Sequence, residues 1–152
     1  MTTSQRLAEL GITLPEVAKP LAAYVPAQRV GNQVWTSGQL PVVAGTPTHT
    51  GKLGAEVSLD DGVACARTCL LNALAAVAQV AGGVDHITRI LKVVVFVAST
   101  PEFTDQPKVG NGASELIGEI FGEAGAHVRS AVGVSVLPLD TPVEIELIAE
   151  VA

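Results

Sequence analysis

The last quarter of the chain contains two short runs in which apolar residues alternate with other residues. Over 128–136 the even positions are apolar except for Ser130, and over 143–151 the odd positions are apolar. The segment LPLDTP between them carries the Pro and Asp that are typical of turns. Since side chains in a β-strand alternate between two faces, the pattern predicts an antiparallel hairpin with one buried face. The predicted buried residues are Val128, Val132, Val134 and Val136 in the first strand and Val143, Ile145, Leu147 and Val151 in the second.

The opposite face of this predicted hairpin would be polar. It would carry a basic group, several carboxylates and two small residues, namely His127, Arg129, Ser135, Glu144, Glu146, Glu150, Ala131 and Gly133. A one-residue slip would exchange the two faces, so the alternation also predicts the register. Charged groups beside small residues on one sheet face indicate the wall of a pocket.

Earlier in the chain the pattern predicts two strands and two helices with a strand between them. The segment 28–40 reads as two strands across a Gly31-Asn32 turn. Ser58 is the expected cap of a helix that runs to about Ala81, and a second helix is predicted over 105–121. Between them, 87–98 is a β-branched run typical of a central strand.

The resulting element order is β-β-α-β-α-β-β, without repeats or a linker, which predicts one α+β domain over residues 1–152. Residues 1–23 form its N-terminal lead-in. Ser4 is expected to cap a short helix, Gln5 to Leu10, and a proline-containing extended segment follows.

Composition argues against nucleic-acid and membrane partners. The chain has 152 residues, of which 48% are apolar and 3% aromatic, and a net charge of −6 with nine Lys and Arg. Nucleic-acid binding needs clustered cations and stacking aromatics, so a nucleic-acid partner is not expected. No secretion signal is recognised at the N-terminus, and the apolar run 90–98 contains Lys92 and is too short to span a bilayer. The expectation is a cytoplasmic protein with no membrane partner.

Arg129 is the strongest candidate for chemistry, because its guanidinium suits bidentate binding of a carboxylate. An internal ion pair with Glu144, Glu146 or Glu150 explains an arginine in this strand equally well. Glu144 and Glu146 could act as acid or base, although alternating glutamates more often form a solvated face.

Other candidate sites are weaker. Cys65 and Cys69 share a helix face, but the CxxxC spacing lacks the further ligands of a zinc site, so two buried thiols are expected. His49 lies in a loop, where a single histidine is more often solvated than functional. No metal site is predicted.

Three segments are similar to one known family. They are VGNQVWTSGQLP (30–41), LKVVVFV (91–97) and VRSAVGVSVLPLDTPVEIELIAEV (128–151). They resemble the Rid family, the YjgF-type reactive intermediate deaminases that are also labelled endoribonuclease L-PSP. The resemblance implies a chorismate-mutase-like α+β fold. It also implies a homotrimer with a central β-barrel, helices outside and clefts between subunits.

The resemblance further implies hydrolysis of 2-imino acids to 2-oxo acids and ammonia, without a metal or cofactor. Arg129 matches the arginine that clamps the substrate carboxylate, and Glu144 matches the acid that positions the attacking water. Ser37 and Gly38 match the cleft wall, and Tyr24 matches the tyrosine that closes the cleft. A small carboxylate-bearing metabolite is then the expected ligand. The alternatives are a non-catalytic member that binds such carboxylates and, less favoured, an endoribonuclease.

The chain departs from the family pattern at several positions. Ala131 stands where relatives have a cleft cysteine, and Tyr24 lacks the usual flanking residues. His127, two residues before Arg129, is a candidate cleft residue specific to this branch. Whether Asn111 matches a cleft asparagine of some relatives is left open.

Overall fold

A computed structural model describes residues 1–20 and 22–152, and its elements follow the predicted order. In chain order they are α1 (Thr3–Glu9), β1 (Ala27–Val30), β2 (Gln33–Thr36), β3 (Val42–Val43), β4 (Thr46–Pro47), α2 (Leu59–Ala81), β5 (Ile87–Ala98), α3 (Gln106–Phe121), β6 (Val128–Val134) and β7 (Val143–Val151). Short 3₁₀ turns cover Val84–His86, Gly122–Gly125 and Pro138–Asp140. The α+β class is confirmed, and the β3–β4 pair is an addition to the predicted order.

Five strands form the main sheet, in the order β1-β2-β7-β5-β6. All neighbours are antiparallel except β5 and β6, which are parallel. The helices α2 and α3 pack on each other and on the sheet. Residues Val93 and Leu147 of this covered face are fully buried, together with Leu70 and Leu74 of α2.

Local signals explain the helix ends. The Ser58 side chain accepts a hydrogen bond from the Asp61 backbone N–H, and α2 ends at Gly82 with a φ of 88°, as predicted. The first helix differs from its prediction. Thr2 caps α1 in a capping box with Gln5, and Ser4 instead binds the carboxylate of Asp85.

The predicted hairpin is wrong, because β6 and β7 are not neighbours. The central strand β5 lies between them, antiparallel to β7 and parallel to β6. The segment from Val134 to Val143 therefore passes over the end of β5 instead of forming a tight turn. Alternation identified both strands, but period-two patterning carries no information about which strand lies alongside.

The predicted burial is confirmed for β7 and wrong for most of β6. Val143, Ile145, Leu147 and Val151 are buried against the helices. By contrast, the even-numbered positions of β6 lie on the uncovered face of an edge strand, where Val128 is 66% and Val132 is 45% exposed. Trp35 of β2, which is 52% exposed, lies in the same cross-strand row as Val128.

We call this uncovered side the open face, defined by the rows Trp35–Ile148–Lys92–Val128 and Glu144–Phe96–Val132. Exposed apolar rows of this kind are typical of interaction surfaces. The helix α2 is long and apolar enough to cross a membrane by length and composition, but 56% of that stretch is buried within the protein. A core helix of a folded domain has the same character.

Candidate functional site

Arg129 lies on the helix-covered side of β6, in a cradle formed by one stripe of α3. Its Nη1 donates to Asn111 Oδ1 at 2.9 Å and to Ser114 Oγ at 3.1 Å, and its Nη2 donates to the Pro107 carbonyl at 3.2 Å. Gly110 lies beneath the guanidinium, where an added Cβ would be only 3.1 Å from Nη1. Positions 107, 110, 111 and 114 share one helix face, so α3 presents these groups together.

Every acceptor in this cradle is neutral. Among the residues that the structure describes, no carboxylate lies within ion-pair distance of Arg129. The internal ion pair considered from the sequence is therefore not formed, and Glu150 instead pairs with Arg89 at 3.6 Å. The cradle orients the guanidinium without neutralising it, which leaves its charge available to an anion.

His127 is linked to this cradle through Ser114. Its Nε2 lies 2.9 Å from Ser114 Oγ, and its Nδ1 lies 2.6 Å from the Gly125 carbonyl oxygen. The side chain of His127 is thus held at both ring nitrogens, at the start of β6. The side chains of His127 and Arg129 thus share Ser114 as a hydrogen-bond partner, and the role of His127 as a cleft residue stays a prediction.

Glu144 lies on the open face of β7, packed against Gly38. Gln39 and Ile145 exchange backbone hydrogen bonds of 2.8 and 3.0 Å, which hold the loop after β2 against β7. A Cβ added at Gly38 would overlap the Glu144 Oε1 atom, so only glycine leaves this carboxylate in place. Burial, reinforced by the nearby Glu146 charge, raises the pKa of Glu144.

Arg129 and Glu144 do not share a face within one chain. In register, Arg129 aligns with Val93 and Leu147 on the covered side, whereas Glu144 aligns with Phe96 on the open side. The predicted common face is therefore wrong, since it assumed a hairpin between β6 and β7. Ala131 follows Arg129 on the covered side, half-buried against the core.

Tyr24 and Gly38 line a cavity of about 670 Å³ between the N-terminal lead-in and the loop after β2. Arg129, Glu144 and His127 are not among its lining residues. The Ser37 hydroxyl donates to the Val25 carbonyl at 2.6 Å, so it secures the chain beside Tyr24. Ser37 thus acts on the cavity wall through the backbone.

The two cysteines are free and buried, as expected. Burial raises the pKa of both thiols. The ring of His49 contacts Cys65 Sγ at 3.4 Å and the carboxylate of Asp61 at 3.6 Å, so this histidine is engaged by its neighbours. Within residues 1–20 and 22–152, no cluster of three or more His, Cys, Asp or Glu is arranged to hold a metal ion.

Comparison with known proteins identifies the family of this chain. The family model described as "YjgF/chorismate mutase-like, putative endoribonuclease" matches residues 4–151. The chain belongs to the YjgF family. This confirms the resemblance inferred from the sequence, including the chorismate-mutase-like fold.

Two known relatives match most of the length of this chain. Protein TCP17 of Trypanosoma cruzi is 43% identical over 145 residues, which cover 95% of this chain and 91% of that protein. The Escherichia coli protein named "Putative reactive intermediate deaminase TdcF" is 34% identical over 131 residues, covering 85% of this chain and 87% of TdcF. A structure of TdcF with bound serine has a TM-score of 0.61 at 28% identity, and the match covers 91% of this chain and 93% of that one.

A nearer structural match comes from Shewanella oneidensis. That crystal structure, of a protein described as a "putative endoribonuclease", has a TM-score of 0.95 at 38% identity. The match covers 99% of this YjgF-family chain and 100% of the Shewanella one. The N-terminal lead-in of this chain therefore falls within the matched length.

Sequence reasoning missed Ser114 and the carbonyl of Pro107 as partners of Arg129, and left Asn111 open. The available signal was the spacing of Pro107, Gly110, Asn111 and Ser114, which places them on one helix face. Small and polar residues along such a stripe indicate a close approach by another side chain. Nothing in the sequence indicated that this side chain is Arg129.

Proposed function

We propose that this YjgF-family protein is a 2-imino acid deaminase whose sites form between copies of the chain in a homotrimer. The observation that carries the proposal is Arg129, whose guanidinium is oriented by three neutral acceptors and has no carboxylate within ion-pair distance among the described residues. Such a group is suited to bind the carboxylate of a 2-imino acid. The names of relatives such as TdcF support this class of reaction.

Glu144 supplies the complementary group. Its raised pKa makes the Glu144 carboxylate a stronger base than an ordinary glutamate, as a group that takes a proton from water requires. Water adds its oxygen to the imine carbon, the C–N bond breaks, and the nitrogen leaves as ammonia with the two protons of that water. In this proposal Glu144 takes a proton from the attacking water and returns it to the departing nitrogen.

In this proposal a second copy of the chain brings these two groups into one site. Arg129 and Glu144 lie on opposite faces of one sheet, so an adjacent subunit must bring its Glu144 towards Arg129. The open face, with Trp35, Val128 and Val132 exposed, offers the apolar surface that association needs. The proposed trimer would line its central barrel with this face.

The test couples an amino acid dehydratase or oxidase, which produces 2-iminobutanoate or 2-iminopropanoate, to a measurement of ammonia release. Wild-type protein is expected to accelerate release. Arg129→Ala is expected to lower kcat/KM by about 100-fold, because the carboxylate loses a charge-assisted partner. Arg89→Ala is the matched control, since Arg89 is an exposed arginine paired with Glu150.

No acceleration by wild type, or equal acceleration by Arg129→Ala, would contradict the proposal. A non-catalytic carboxylate-binding protein is the second candidate, favoured by the separation of Arg129 and Glu144 in one chain. It predicts binding of 2-oxobutanoate that Arg129→Ala abolishes, with no deaminase rate.

The endoribonuclease description of some relatives is less compatible with this chain. A net charge of −6 with nine Lys and Arg provides few contacts for a phosphate backbone. RNA cleavage that persists undiminished in Arg129→Ala and Glu144→Gln would not arise from the proposed site.

A further inference from the structure

We propose that His127 is a positioning residue, which orients the Arg129 guanidinium through the hydroxyl of Ser114. This inference rests on the proposed role of Arg129 as the carboxylate clamp. The three side chains form one hydrogen-bonded chain, with 3.1 Å from Arg129 Nη1 to Ser114 Oγ and 2.9 Å from Ser114 Oγ to His127 Nε2. No other described residue contacts both Ser114 and the Gly125 carbonyl in this way.

The Gly125 carbonyl determines which nitrogen of His127 carries the proton. A carbonyl oxygen can only accept, so the 2.6 Å contact requires an N–H at Nδ1. In the neutral ring, Nε2 is then an acceptor. His127 is therefore held in the tautomer that can receive the Ser114 hydroxyl proton.

The Ser114 hydroxyl has a single proton, and the acceptor of that proton determines where the lone pairs of Oγ point. Donation to His127 Nε2 turns the lone pairs of Oγ towards Arg129, which needs an acceptor. Without His127, a serine within a helix can donate to the carbonyl four residues earlier, here that of Gly110. The hydroxyl would then leave the position in which it meets Arg129 Nη1.

The hydrogen-bond series that begins at Arg129 ends at Gly125, which is tightly packed. Gly125 is buried, and a Cβ added there would lie 2.8 Å from Ile117 Cγ2 and 3.2 Å from Phe121 Cβ. The turn Gly122–Gly125 is therefore packed tightly onto α3. Because Ser114 is on the same helix, α3 anchors both ends of the path from Gly125 to Arg129. Fixed partners at both ends are what a positioning residue needs.

The test compares His127→Ala, Ser114→Ala and the double variant, using 2-oxobutanoate as the probe in calorimetry and 2-iminobutanoate in the ammonia assay. Each single change is expected to weaken 2-oxobutanoate binding and raise KM by about fivefold, the effect of one neutral hydrogen bond. The kcat value should stay within about twofold, since neither residue is placed at the reacting atoms. His86→Ala, a change at an exposed histidine on the turn Val84–His86, is the control.

Two results separate positioning from a general structural role. First, the double variant should bind 2-oxobutanoate no more weakly than the weaker-binding single variant, because both changes break the same series of hydrogen bonds. Second, His127→Gln should bind 2-oxobutanoate more tightly than His127→Ala, because the glutamine amide oxygen can accept from Ser114. A thermal melt of each variant excludes loss of folding.

Histidine ¹⁵N spectra near pH 8 provide a readout that is independent of activity. They should show His127 with Nδ1 protonated and Nε2 unprotonated. An Nε2–H tautomer, additive single effects, or unchanged binding in His127→Ala would overturn the inference, even if Arg129→Ala abolishes binding. No binding by wild type, or full binding by Arg129→Ala, would instead overturn the proposed function and the inference with it.

Discussion

Arg129 and Glu144 are charged side chains of opposite sign, and their surroundings differ in kind. Arg129 is held by Asn111, Ser114 and the Pro107 carbonyl, all neutral acceptors on one helix. Glu144 is held by packing, against a glycine and near a second carboxylate. The first arrangement orients a charge without opposing it, and the second makes a charge unfavourable.

The difference shows that each region lacks what the other provides. The Arg129 region has a cation without an anionic partner, and the Glu144 region has a carboxylate without a cation among the described residues. Unpaired charges cost stability and are typical of functional sites. Because the two regions lie on opposite faces of one sheet, the proposed site needs two copies of the chain to combine them.

The largest effect is expected from a change that prevents the two regions from meeting. Val132→Glu places a carboxylate on the open face, in the same row as Phe96 and Glu144. Burying that charge in an interface would cost several kcal/mol, so we expect dissociation to monomers and a loss of kcat/KM of about 100-fold or more. Sedimentation velocity and the ammonia assay measure the two outcomes.

Val43→Glu is the matched control for this change. Val43 is similarly exposed, at 58%, but belongs to the separate β3–β4 pair. An unchanged mass in both variants would show that the open face is not an interface.

A smaller effect is expected from displacing Glu144 while leaving its charge. In Gly38→Ala the new methyl group must push the Glu144 carboxylate aside, and this costs little because the side chain is flexible. We expect kcat/KM to fall by about tenfold with little change in Tm, since misplacement of an acid-base group affects the reaction more than the fold.

Gly118→Ala is the matched control for Gly38→Ala. A Cβ at Gly118 meets nothing within 4 Å, and the position lies within α3. Activity should be unchanged, and stability should rise by up to about 1 kcal/mol from helix propensity. Equal activities of the two alanine variants would argue against a role for the Gly38–Glu144 contact.

The smallest effect concerns the stability cost of Glu144. Its pKa is raised in the folded protein above the ordinary value of 4.5, so the folded state binds more protons than the unfolded state in that pH window. The free energy of unfolding therefore falls as pH rises through the window. Glu144→Gln removes this loss and should stabilise the protein at pH 7 by less than about 1 kcal/mol, because the side chain is half exposed.

Urea unfolding at pH 7 and near pH 4 tests this expectation. The advantage of Glu144→Gln over wild type should shrink at the lower pH, where both states hold the proton. A variant that is destabilised at pH 7 would show that Glu144 is paired in the folded protein.

Much of the architecture was predictable from the sequence. Ser58, Gly82 and the Gly31-Asn32 turn mark element ends through their own backbone preferences, and the odd-numbered residues of β7 are buried as predicted. The same reasoning failed for β6. An apolar stripe looks identical whether a helix or a second copy of the chain covers it, so Val128 and Val132 were assigned to the wrong surface.

The site shows the same division. The resemblance predicted Arg129, Glu144 and Gly38 as site residues, and the spacing along α3 could have indicated a cradle. Arg129 reaches that cradle because β6 lies beside β5, and no local sequence pattern predicts this strand pairing. The link from His127 through Ser114 also joins residues of different elements, so it could not be predicted.

By itself the sequence determined the main helices and strands, most of their ends, the α+β class and the family. The elements depend on side-chain periodicity and capping, which act over a few residues, and the family was identified from short motifs within continuous segments. Only the tertiary structure decided that β5 separates β6 from β7, that Arg129 faces α3 while Glu144 faces the open side, and that Ser114 connects Arg129 to His127. Those facts depend on strand neighbours and on which face the helices cover, and both are set by packing between distant segments.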